Sequence, residues 1–99
     1  MIRHIVFWKL KDSAEGKTKR ENGCTIKEKL EALVGKIEGL ISAEVGENYN
    51  GGDFDFCLNS TFADDAALKG YQTHPLHLEV RAFVHKVICD RTAVDFEIE

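Results

Sequence analysis

No CxxC or CxxH pair joins Cys24, Cys57 and Cys89. Structural zinc sites draw their ligands from such pairs, so a zinc ribbon or finger is not expected. Three widely spaced cysteines are an odd number, and free thiols in a reducing compartment are the natural state. The cytoplasm is the default location. Cys57 lies in an apolar run and reads as core. A basic excess is also missing: Lys and Arg number 13 against 17 Asp and Glu, a net charge of −4. Nucleic acid is therefore not an expected partner. The local cluster Lys9, Lys11, Lys17, Lys19 and Arg20 is surrounded by acids and reads as a solvated loop and helix face. Long apolar runs are absent as well. Residues 1–10 are apolar but too short and too charged for a signal or a membrane span, so no membrane partner is expected. No HExxH motif or nucleophile elbow occurs. Gly51-Gly52 belongs to a hairpin turn and not to a phosphate-binding loop. No metal or cofactor is expected.

What remains is ordinary in composition, with 43% hydrophobic and 30% charged residues over 99 positions. This fits one globular domain spanning 1–99. A chain this short buries a modest core and is often helped by self-association.

Residues 2–10 read as a strand of β-branched and aromatic residues. Period two puts Ile2, His4, Val6, Trp8 and Leu10 on one face and Arg3, Ile5, Phe7 and Lys9 on the other. Trp8 reads as core. The polar stretch 11–24 holds at most a short helix from Ser13. Thr25 and Glu28 match a capping box for the next helix. Ile26, Leu30, Leu33, Val34 and Ile37 then form its apolar stripe, and Gly39 suits the left-handed position beyond its end. Residues 40–50 and 54–62 predict an antiparallel hairpin around Asn50-Gly51-Gly52-Asp53. Ile41, Ala43, Val45 and Tyr49 share one face of its first strand. Asp64 or Asp65 caps a short helix through Tyr71. Pro75 opens a second piece with Val80, Phe83, Val84 and Val87 as its stripe. Residues 88–98 give a last strand.

The order β, α, β, β, α, β is the α+β, ferredoxin-like pattern of a four-stranded antiparallel sheet with helices on one face. The other face needs a cover. A second copy packed face to face would supply it, which predicts a homodimeric barrel-like assembly.

Several motifs carry a resemblance across nearly the whole chain. They are His4-Ile5-Val6 with Lys9-Leu10-Lys11, Glu44-Val45-Gly46-Glu47-Asn48, Asp53-Phe54-Asp55, Tyr71, His74-Pro75-Leu76-His77 and the closing Val94-Asp95-Phe96. The chain resembles the stress-responsive A/B barrel domain family of dimeric α+β barrels. The resemblance implies the fold and the dimer. One plant member of that family closes a linear polyketide by aldol condensation. By that likeness His77 would be the general base and Tyr71 its assistant, both catalytic. His4 and Asp95 would be substrate-binding.

The residues themselves allow this chemistry. His77 would sit near the start of a helix, where the dipole disfavours a positive charge, so its ring should favour the neutral form. Asp95 would orient that ring. Tyr71 would donate to a developing enolate. The ligand would be a small carbonyl or phenolic compound. A plain structural role competes: His74 as a cap, His77 as a satisfied core histidine, and Asp95 bound to His77 or Arg91. The protein would then be a non-catalytic dimeric binding or stress-protective module.

Overall fold

A computed structural model describes residues 1–98. Strand β1 spans Ile2–Leu10, and its burial alternates as period two requires. His4, Val6, Trp8 and Leu10 are buried, whereas Arg3, Ile5 and Phe7 are half-buried and Lys9 is exposed. The inner face thus lies under helices and the outer face does not.

The polar stretch after β1 forms no helix at Ser13. It folds into a small antiparallel ribbon, β2 (Ser13–Ala14) and β3 (Lys17–Thr18). Its turn places both Glu15 (φ 52°) and Gly16 (φ 74°) in the left-handed region, as the two-residue hairpin turn demands. Helix α1 then runs Lys19–Glu31, seven residues ahead of the sequence expectation. The true capping box is Thr18 with Glu21. The Glu21 amide donates to the Thr18 hydroxyl at 3.2 Å, and the Thr18 amide donates to the Glu21 carboxylate at 3.0 Å. Thr25 is inside the helix, its hydroxyl donating to the Glu21 carbonyl at 3.0 Å. Leu33 and Ile37 lie beyond α1 in turns yet remain buried, while Val34 is exposed. Gly39 does adopt a left-handed φ of 86°, but after those turns.

Gly23 makes α1 possible at this position. A Cβ there would sit 2.1 Å from the Phe56 ring, so the helix rests against β5 on bare backbone. Glycine to alanine inside a helix ordinarily gains about 1 kcal/mol. Overpacking against a buried ring costs about 1–3 kcal/mol. We therefore expect Gly23→Ala to destabilise by a net of up to ~2 kcal/mol in urea unfolding. A gain in stability would show that α1 can move away from the sheet.

Strand β4 (Leu40–Glu47) pairs with β5 (Phe56–Phe62) as an antiparallel hairpin. The register shifts between Leu40 and Ser42. This shift breaks the expected single face: Leu40 and Val45 are buried, Ala43 is half-buried, and Ile41 and Tyr49 are exposed. The hairpin loop is longer than expected, residues 48–55, and Asn48 closes it. Its amide donates to the carbonyls of Gly51 at 2.9 Å and Phe54 at 2.8 Å. Cys57 is only half-buried, because it pairs with Phe7 on the outer face.

Helix α2 (Asp65–Thr73) is capped by Asp64, whose carboxylate accepts from the Ala67 amide at 2.8 Å. His74 alone separates it from α3 (Pro75–Val87) and caps both. Strand β6 spans Ile88–Glu97. The sheet order is β4-β5-β1-β6, with every neighbouring pair antiparallel. Buried residues of α1, α2 and α3 pack on its inner face, so the core is a two-layer one. On the outer face, Val94 pairs with Ile5 and Phe96 with Arg3, and both Val94 and Phe96 are exposed.

Candidate functional site

The site lies between the layers, at the central strand. His4 projects from β1 toward the helices and is 5% exposed. The β1–β6 register places Asp95 directly across from it. His4 Nδ1 is hydrogen-bonded to the Asp95 carboxylate. Such a partner holds the Nδ1 proton and leaves Nε2 as the open nitrogen. Phe62 of β5 is fully buried, edge-on to His4 at 6.2 Å between centroids and to Tyr71 at 4.9 Å.

Tyr71 enters from the end of α2 and His77 from the first turn of α3. The kink at His74-Pro75 brings the two rings together. They stack at 3.9 Å between centroids with 27° between planes. Tyr71 also meets the His4 ring at 6.4 Å. Nδ1 of His77 is buried and has no hydrogen-bond partner among the described residues. Burial is the main force on this ring, and it lowers the His77 pKa to about 4. The polar backbone of Gln72 and Tyr71 opposes the shift, while the charges of Arg81 and His4 add to it. Burial likewise raises the Tyr71 pKa, against a small opposing effect from Arg91. At neutral pH the pair is therefore an uncharged imidazole against an uncharged phenol.

A cavity of about 430 Å³ opens here. His4, Val6, Trp8 and Leu58 form its floor, and Tyr71, His77, Arg81, Val84 and His85 its helical wall. Arg91 of β6 joins the rim. Trp8 is thus both core and cavity wall.

The structure brings His4, Tyr71 and His77 together, with Asp95 behind His4. Asp95 does not orient His77, as the sequence reading supposed. Strand register commits it to His4 instead. His74 remains a surface cap, its Nδ1 accepting from the Leu76 amide at 3.1 Å. Arg81 and His85 were not singled out from the sequence, and Arg91 entered only as a partner for Asp95, which pairs with His4 instead. Arg81 and His85 follow His77 at four-residue steps, so helical spacing alone places them on its face. Arg91 needs the β6 register, which sets it opposite Trp8. Among the described residues no group of three or more His, Cys, Asp or Glu side chains is placed to hold a metal ion. No helix among them is long and apolar enough to cross a membrane.

Fold and site together define a ferredoxin-like α+β domain with a histidine-lined cavity between sheet and helices. The family model of the stress responsive A/B barrel domain matches residues 2–98, and the chain belongs to that family. An uncharacterized protein of Streptomyces coelicolor is 38% identical over 79 residues, covering 78% of this chain and 79% of its own. A dimeric Bacteroides fragilis protein of unknown function and ferredoxin-like fold superposes with a TM-score of 0.87 at 34% identity, over 98% of this chain and 95% of that one. The hydroxynitrile lyase of Passiflora edulis has a TM-score of 0.82 at 17% identity, over 99% of this chain and 93% of its own. That likeness shows a shared fold.

Proposed function

We propose that the cavity is the active site of a lyase or cyclase that removes a proton from carbon next to a carbonyl group. The observation that carries this reading is the His77 ring, stacked on Tyr71 and facing a cavity that also holds His4, where burial favours its neutral form. His77 takes the proton as the C–H bond breaks. The electron pair forms the enolate double bond, and the carbonyl π pair moves to oxygen. The Tyr71 hydroxyl donates a hydrogen bond to that oxygen. His4, held by Asp95, binds the substrate. The enolate then closes on a second carbonyl, expels a leaving group or regains its proton.

The test is hydrogen exchange. Small ketones and hydroxyaryl ketones incubated with the protein in D2O should exchange the hydrogens beside their carbonyl faster than in buffer alone. If ligands bind and no exchange exceeds buffer between pH 5 and 9, the enzyme reading fails and a binding module remains.

The working unit in this proposal is a homodimer. The exposed Val94 and Phe96 stand on the sheet face that no helix covers. Arg3, beside Phe96, keeps a buried Nε without a partner among the described residues. Sedimentation at micromolar concentration should give twice 11.1 kDa, or 22.2 kDa. A species near 11.1 kDa would leave the outer face without its cover.

A further inference from the structure

The charges around the cavity are one-sided. The chain is acidic overall, yet no Asp or Glu lines this cavity. Its ionic lining consists of Arg81 and Arg91, with the imidazoles of His4, His77 and His85. Asp95, behind the floor residue His4, is bound to that histidine. Arg20 forms an ion pair with Glu47 at 3.6 Å, but neither Arg81 nor Arg91 has an ion-pair partner among the described residues. Two free guanidinium groups therefore approach one cavity from opposite layers, α3 and β6.

We propose that the substrate is an oxo acid, with a carboxylate held by Arg81 and Arg91 while its carbonyl meets Tyr71 and His77. This rests on the proton-abstraction reading for the carbonyl end and goes beyond it for the other. A cleft of one sign concentrates ligands of the opposite sign. Guanidinium groups are suited to carboxylates, which accept two parallel hydrogen bonds from one fork. Both arginines are exposed at the rim, so they capture a charged group without burying it. An anion there also offsets the Arg81 charge that His77 feels, and so makes the ring a better base once substrate is bound. A neutral ketone gives no such help.

The experiment is calorimetric titration of the full chain with 4-oxopentanoate and with its methyl ester, which differ at the charged group. Wild type should prefer the carboxylate by about ten-fold or more, less so at high salt. Arg81→Gln and Arg91→Gln should each lower that preference. The double variant should abolish it, with ester binding and melting temperature unchanged. Equal binding of acid and ester overturns the proposal. So does a preference that survives in the double variant, and so does failure of both probes to bind. Deuterium exchange in the same samples separates the two ideas. Carboxylate binding that needs the arginines, without exchange that needs His77, keeps the anion site and removes the chemistry. Exchange on the ester as fast as on the acid keeps the chemistry and removes the anion site.

Discussion

His77→Gln is expected to lower the catalysed exchange rate by about 10²–10⁴-fold, the usual contribution of a positioned base. Glutamine keeps polarity and much of the volume beside Tyr71 but cannot take a proton. The pH profile gives an independent check. A base works in its unprotonated form, and burial lowers the His77 pKa to about 4. Wild-type exchange should therefore be level through neutral pH and fall only as the pH drops through that value. A fall centred near the ordinary histidine value of about 6.5 would mean that solvent reaches the ring freely. If His77→Gln retained exchange within a few-fold of wild type, the base would lie elsewhere, and His4 Nε2 would be the next group to replace. A variant that lost both exchange and fold would be uninformative, so His77→Gln should be compared with wild type by near-UV circular dichroism.

Phe62→Ala should be the most damaging change to stability, at about 3–5 kcal/mol. Phe62 is fully buried and is the largest of the side chains that exclude water completely. It packs edge-on against both His4 and Tyr71. Removing the ring loses its transfer free energy and leaves a void under two site residues. Domains of this size have about 5–15 kcal/mol in all, so about a fifth of the total or more is at stake. Phe62→Leu should lose much less and still free Tyr71 to tilt away from His77. A loss below about 1 kcal/mol for Phe62→Ala would show that the inner sheet face repacks around the gap.

Local signals made parts of this molecule legible. The alternation along β1 gave the two faces because residues 2–10 are a regular strand with no shift before Lys9. His74-Pro75 gave the boundary between α2 and α3, since proline without an amide proton suits the first turn. The pairing of Tyr71 with His77 came from the family resemblance, and their ring stacking is visible only in the structure. Other parts depended on contacts made far away. Gly23 lies in the polar stretch 11–24, and only the Phe56 ring supplies the reason for a glycine within a helix there. Asn22, another poor helix former, is fixed by donating to the Ala14 carbonyl at 3.0 Å. The irregularity at Leu40–Ser42 moved Ile41 out of the core, and no local pattern announces it. Asp95 had the right neighbourhood and the wrong partner, because the pairing of β1 with β6 is a tertiary fact.

That pairing sets the order in which the site can exist. His4 and Asp95 are separated by 91 positions, and β1 lies between β5 and β6. Contacts of such separation form slowly, after loop closure has lost much chain entropy. During synthesis the His4 side chain emerges 91 positions before the carboxylate that it pairs with. Yet residues 2 and 97 face each other across the register. A short linker joining them, with new ends opened in the 48–55 loop, would turn β6 and β1 into a hairpin. The permuted chain should fold faster and assemble the His4–Asp95 pair among its earliest contacts.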